Sequence, residues 1–249
     1  MSSSSIAISE SSPTPEPLFV LLALFFLTIF ASMVTHDLTH PSSTSTPSGW
    51  SYIGSSNGVE LYNKVVFVND KTLLGVKGTA TVEVPIKSIL STFFDISRST
   101  SWIQDLYSVT ETNYNKRSLS GRLRQRYRVA GGLVVKDREF VIDRTVKISK
   151  RTRTVLVDYK SVPLGTSEDL KICKNCVRAR TPGTKWSFKS VEGEGKTSVS
   201  VEAVVDPGGG LPKVLVDLIQ RKWPRNSIVR LAKEAKSKKI KGGGRWEDW

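Results

Sequence analysis

Alternating apolar and polar positions run through most of the chain after Trp50. Val59–Asn69 (VELYNKVVFVN) and Thr72–Val84 (TLLGVKGTATVEV) have the period-two, β-branched character of strands, and Asn69-Asp70-Lys71 between them predicts a tight turn. At Pro85–Ile96 the spacing becomes helical: Ile86, Ile89, Leu90, Phe93 and Phe94 share one face, with Pro85 at the N-terminal end. Strand patterning then returns at Tyr107–Asn115, Ser118–Ala130, Arg138–Lys150, Thr154–Val162, Val177–Val191 and Thr197–Val205. A last helix carries Leu211, Val214, Leu215, Leu218 and Ile219 on one stripe, continued by Ile228, Leu231, Ala232 and Ala235. Pro224 should kink it, because proline removes a backbone donor and clashes with the preceding turn. This order predicts an α+β fold in which a curved antiparallel sheet wraps around a long C-terminal helix.

A different pattern precedes Trp50. Leu18–Val34 (LFVLLALFFLTIFASMV) contains only Thr28 and Ser32 as polar residues. As a single apolar helix it would span about 26 Å, slightly less than a bilayer core of about 30 Å. A cleaved signal peptide is the alternative, but residues 1–17 contain no basic side chain and the apolar run exceeds the usual signal core. The expectation is a disordered segment 1–17, a transmembrane segment or signal anchor at 18–34, a Ser/Thr/Pro tether at 35–49, a folded domain at 50–239 and a basic, aromatic tail at 240–249. The acidic flank lies N-terminal, the basic mass C-terminal, and the domain has no Asn-x-Ser/Thr sequon. A single-pass protein with a cytosolic C-terminal domain is therefore expected; secretion after cleavage is the alternative.

Charge narrows the partners. Residues 1–49 hold three acids and no Lys or Arg, so residues 50–249 carry 37 basic against 20 acidic side chains, a formal +17. A domain this basic favours anionic surfaces, either nucleic acid or acidic lipid. The aromatic interleaving of single-strand binders is missing, and an apolar anchor argues against nucleic acid. The histidines, His36 and His40, both lie in the tether, so no four-ligand zinc site is expected in the domain, and no cofactor. Cys173-x-x-Cys176 resembles a redox motif but falls in a loop beside Lys171, Lys174 and Arg178. Free thiols are expected there, with a disulfide only in an oxidising compartment.

One arginine stands out of pattern. In Asp137–Ile148 (DREFVIDRTVKI), Phe140, Ile142, Val146 and Ile148 form one strand face with Arg144 among them. Glu139, Val141, Asp143, Thr145 and Lys147 form the other face, expected to be solvated. A guanidinium on an apolar face costs several kcal/mol unless it is paired and hydrogen-bonded. Arg144 is thus either half of a buried ion pair or a residue lining a hollow where it meets a ligand.

Several motifs carry a family resemblance. Trp50…Gly58-Val59-Glu60-Leu61-Tyr62, Arg98…Trp102, Asp137-Arg138-Glu139-Phe140-Val141 and Asp206-Pro207-Gly208…Leu211-Pro212 occur in this order. Over residues 49–235 the chain resembles the START family, the steroidogenic-acute-regulatory-type lipid-transfer domains. The resemblance implies the helix-grip fold and a hydrophobic tunnel between sheet and C-terminal helix holding one lipid, with no catalysis. It also implies that Arg144 lines the cavity. Some members pair that arginine with a carboxylate on a neighbouring strand; the nearest match here is Gln125, which would not neutralise it, while Glu111 and Asp158 are other candidates. Asp206–Pro212, with three consecutive glycines, is either the hinge of a lid helix or a loose connection.

The expected lipid-binding residues are Arg144, Phe140, Ile142, Tyr127, Gln125, Trp102, Leu215, Leu218 and Ile219. Arg122, Arg124, Arg126 and Arg128 alternate strictly, so they should face outward, either as a basic strip for an anionic membrane surface or as a plain solvated face. Lys236, Lys238 and Lys239 would add to membrane docking. The partners expected are a lipid ligand (sterol, phospholipid, ceramide or fatty acid) and an anionic membrane, with no nucleic acid and a monomeric chain. A helix-grip enzyme of the polyketide cyclase type is an alternative, weakened by the lack of a domain histidine. A basic nucleic-acid-binding domain is another.

Overall fold

Three strands open the domain in this computed structural model, which describes residues 49–129, 135–191, 195–211 and 213–237, with backbone alone at 213–215 and 217–219. The expected anchor, tether residues 35–48 and tail 240–249 lie outside the described residues, and no described helix is long and apolar enough to cross a membrane. β1 (Ser51–Ser56), β2 (Val59–Val68) and β3 (Lys71–Val82) form a meander. Both turns are two-residue: Asn57-Gly58 and Asn69-Asp70 take positive φ throughout, a conformation that Asn, Asp and Gly reach at least cost and that matches the twist of paired strands. The sequence pattern predicts β2, β3 and the second turn, but not β1.

α1 (Ile86–Phe93) starts at Pro85 and buries Ile86, Ile89, Leu90 and Phe93. It is shorter than the helical spacing predicts, because Asp95 turns the chain by accepting from the Ser97 amide, 3.0 Å. A 3-10 turn (Ile96–Arg98) and α2 (Ser99–Trp102) follow. Next come β4 (Leu106–Asn115), β5 (Ser120–Tyr127), β6 (Asp137–Ser149), β7 (Thr154–Ser161), α3 (Ser167–Leu170), β8 (Cys176–Arg178), β9 (Arg180–Val191), β10 (Lys196–Asp206) and α4 (Lys213–Ser237). The main sheet runs β1-β2-β3-β10-β9-β7-β6-β5-β4 with antiparallel neighbours.

One departure from the strand prediction matters for the site. Val177–Val191 is two strands: β8 breaks away to pair in parallel with the start of β6, Arg138 opposite Val177. Residues 163–175, including α3, thereby lie over the outer face of β6. Glu139 and Val141, expected on a solvated face, are buried beneath them. At the far end of the same strand the inner stripe fails instead, and Ile148 is 37% exposed.

α4 runs continuously through Pro224 and packs on the sheet and α1. Its C-terminal half contributes Ile228, Leu231 and Ala235 to a core shared with Ile89, Leu90, Phe188 and Val201. Gly78 on β3 permits this approach: a Cβ there would stand 2.8 Å from Pro224 Cβ. Phe93 packs at 4.8 Å from Phe188 and 5.3 Å from Trp186, closing the core at one end of the hollow described next.

Candidate functional site

Between the concave face of the sheet and the first half of α4 lies a cavity of about 510 Å³. That falls within the range of about 300–1,000 Å³ typical of sites that enclose one small molecule. Strands supply the walls by alternation: Leu123, Gln125 and Tyr127 from β5, Phe140, Ile142 and Arg144 from β6, Ala203 and Val205 from β10. Helix periodicity supplies the roof, with Val216, Gln220, Trp223 and Ser227 of α4 on one face. Trp102 of α2 joins both the core and the wall. Six sequence-predicted residues (Arg144, Phe140, Ile142, Tyr127, Gln125 and Trp102) thus meet at one hollow. The side chains of Leu215, Leu218 and Ile219 lie outside the described residues.

Arg144 is 2% exposed and has an acidic partner. Its Nη2 donates to Glu111 Oε1 at 2.5 Å and its Nε to the Leu119 carbonyl at 2.8 Å. Of the partners left open by the sequence, Glu111 is the one that meets the guanidinium, and Gln125 does not. The register explains why: Gly121 of β5 stands opposite Arg144, and Glu111 of β4 opposite Leu123. With no side chain at 121, the Glu111 carboxylate crosses that position, 2.6 Å from where a Cβ would be. Gln125 pairs instead with Phe140, and its Oε1 accepts from the Tyr127 hydroxyl at 3.0 Å. Burial raises the Glu111 carboxyl above its usual range against the pull of Arg144. Burial also pushes the Tyr127 phenol well up, and Tyr159 up to about 12 although Arg144 draws it back.

The outward arginines do not form an open basic strip. Arg124 Nη1 and Arg126 Nε donate to the two oxygens of Glu139 at 2.7 and 2.8 Å, and Arg178 approaches the same carboxylate at 3.2 Å. Arg122 Nε donates to Asp143 at 2.7 Å, and its Nη1 stands 3.5 Å from Glu168. Arg128 stacks over the Tyr107 ring at 5.0 Å. Lys236 is exposed in the last turn of α4, while Lys238 and Lys239 lie outside the described residues. Cys173 and Cys176 are joined in a disulfide, correcting the expectation of free thiols. Their sulfurs and a Glu139 oxygen lie within 4.8 Å of one another, but Glu139 is already taken by three arginines, so this is no metal site.

The hinge before α4 is held rather than loose. Arg138, buried at the cavity wall, donates to the carbonyls of Pro207 at 2.7 Å and Gly208 at 3.2 Å. Asp206 accepts from the Gly208 amide at 3.0 Å and from Lys71 at 2.7 Å. Gly208 takes φ +63° with Arg178 O 2.4 Å from any Cβ, so only glycine fits. Asn226 on α4 donates to Gln104 at 2.7 Å, a second tie between helix and wall. Arg138, Gln220, Asn226 and Ser227 were missed by sequence reasoning. The available signal was polar residues interrupting the inward stripe of α4.

This architecture has solved counterparts. Human STARD10 matches with a TM-score of 0.64 at 19% identity, covering 92% of this chain and 82% of that one. Human StAR-related lipid transfer protein 5 matches at 0.67 and 15% identity, covering 88% and 98%. The chain has the START fold. A STAR-related lipid transfer protein fragment from Xanthomonas axonopodis shares it at 0.59 and 18% identity, covering 76% of this chain and 99% of that one. No protein-family model and no curated protein matches the sequence. At these identities the likeness to START structures is one of fold.

Proposed function

We propose that the chain is a non-enzymatic, membrane-tethered carrier that holds one lipid between the START sheet and α4. The observation that carries this reading is the cavity of about 510 Å³, walled mostly by apolar side chains and roofed by a helix on a pinned hinge. Transfer of a lipid chain from the bilayer would then be isoenergetic in outline. Phe140, Ile142, Val76 and Trp223 replace the hydrocarbon surroundings, at about 0.8 kcal/mol per methylene kept from water. The proteins named above as lipid transfer proteins share this architecture. A binding role rather than catalysis is supported by the wall's phenols, which burial moves away from neutrality, where a general base is most effective.

The reading includes an anchor at Leu18–Val34, docking through basic residues to an anionic membrane, and a monomeric chain. Arg128 and Lys236 are exposed and suited to such docking; the acids that bind Arg122, Arg124 and Arg126 leave those three a smaller share. One observation favours a different compartment. The Cys173–Cys176 disulfide belongs to an oxidising space, whereas the N-terminal charge balance favours a cytosolic domain. Alkylation of the unfolded, unreduced protein separates them: two modified cysteines support the cytosolic placement, and none supports the lumenal or secreted one. The carrier reading itself is tested by lipid exchange between donor and acceptor vesicles. Catalysed exchange by the full chain is expected, and exchange no faster than in its absence would refute it.

A further inference from the structure

Several polar side chains that line the hollow are held by the protein. Arg144 is held by Glu111 and the Leu119 carbonyl, Arg138 by carbonyls, Gln125 by Tyr127, and Asn226 by Gln104. Three atoms are not. Trp102 Nε1, Gln220 Oε1 and Ser227 Oγ are buried with no hydrogen-bond partner among the described residues. Their residues are 3%, 8% and 0% exposed, and all three line the cavity. The fourth such atom, Arg178 Nε, belongs to the outer-face charge cluster, 3.7 Å from Asp169.

Unpartnered buried polar groups are rare in native proteins because each forfeits its hydration without return. Three on the wall of one apolar hollow point to a partner that comes from outside the chain. Their chemistry is specific. An indole N–H only donates, so it requires an acceptor on the ligand. Gln220 Nε2 donates to the Val205 carbonyl at 3.1 Å; a carbonyl only accepts, which fixes the amide and leaves Oε1 as a free acceptor. The Ser227 hydroxyl does either. Gln220 and Ser227 stand two turns apart on α4, about 10 Å along its axis, with Trp223 between them. All three groups are neutral, whereas Arg144 on the same wall already has its carboxylate.

We infer that Trp102, Gln220 and Ser227 form the recognition set for the uncharged polar part of the bound lipid. The ligand class is a neutral lipid that carries a hydrogen-bond acceptor together with an O–H or N–H donor, such as a hydroxylated or amide lipid, and not a phosphate ester or a fatty acid. A competing anion site would have to use the exposed Arg128 and Lys222, which also line the hollow, because Arg138, buried without a carboxylate, directs its donors to the carbonyls of residues 136, 207 and 208.

The inference rests on the carrier reading and is tested apart from it. Delipidated full-length protein is incubated with vesicles holding phosphatidylcholine, phosphatidic acid, a ceramide and diacylglycerol, and bound lipid is weighed by native mass spectrometry. Ceramide or diacylglycerol is the expected species. Ser227→Ala and Trp102→Phe should each weaken its binding about 3–10-fold, the worth of one neutral hydrogen bond. Ser227→Ala should leave the lipid-free melting temperature level or higher, since it deletes an unsatisfied group; a structural serine would lower it. Neutral-lipid binding unchanged in both variants overturns the inference while the carrier reading stands. So does phosphatidylcholine or phosphatidic acid as the bound species, whichever cation holds it. Protein that stays empty with every lipid overturns both.

Discussion

Strand β6 buries a charge on each of its faces, and the two arrangements are opposites. On the outer face Glu139, 0% exposed, is gripped by Arg124, Arg126 and Arg178 beneath the 163–175 segment. On the inner face Arg144 has one carboxylate, Glu111, and stands at the edge of a hollow. In the outer cluster the anion is held by donors from three other positions, and one buried atom, Arg178 Nε, has no hydrogen-bond partner among the described residues. The inner pair shares its surroundings with a void and with polar atoms that have no partner. Buried charge alone does not mark a site in this protein. Charge beside empty, apolar volume does.

The comparison can be broken first at Glu139. Glu139→Gln leaves three guanidinium groups around a neutral amide, and removing one partner of a buried ion pair costs about 3–5 kcal/mol. Urea unfolding should show that loss with lipid selectivity unchanged in whatever protein folds. Arg144→Met should cost less, about 2–3 kcal/mol, because it removes charge-assisted hydrogen bonds beside a carboxyl that burial already inclines to protonate. Adding Glu111→Leu should recover most of that loss, since an apolar pair of similar volume often replaces an ion pair without penalty. If the double variant is no more stable than Arg144→Met, the inner pair is not the self-contained unit described here.

Gly78→Ala should cost about 1–3 kcal/mol by driving a methyl group into Pro224 and lifting α4. It should loosen the cavity roof without touching either charge group. The smallest effect concerns pH at the hinge. Burial alone would raise the Asp206 carboxyl, but hydrogen bonds from Lys71 and the Gly208 amide outweigh it and hold the group below its usual range. A depressed carboxyl contributes stability above its unfolded pKa and loses it as pH falls through the folded value. Asp206→Asn should therefore unfold more easily than wild type at neutral pH, by no more than about 1 kcal/mol for so exposed a partner as Lys71. The gap should close well below about pH 4. A gap that persists in acid would show that the carboxylate is not what holds the hinge.

Local signals made the fold legible. Period two located β2 to β7, β9 and β10, the Asn-Asp turn was visible, and the out-of-pattern Arg144 lines the hollow. What sequence hid was non-local. The pairing of Glu111 with Arg144 depends on a two-strand register and on an absent side chain at Gly121. The burial of Glu139 depends on β8 leaving the antiparallel order to cover β6. Gln220 and Ser227 looked like ordinary polar residues of an amphipathic helix, because their lack of partners is a property of the packed molecule.

Ala203 offers the most direct test of the account. It lies on β10 at the cavity wall, 2% exposed, with Val76 opposite on β3. Ala203→Trp places an indole in empty volume instead of a packed core. After full-length wild type and variant are incubated with mixed vesicles, native mass spectrometry should find one lipid per chain in wild type and none in the variant, with equal far-UV circular dichroism. An empty wild type, or a variant that still carries one lipid, would contradict the claim that this hollow is the lipid site.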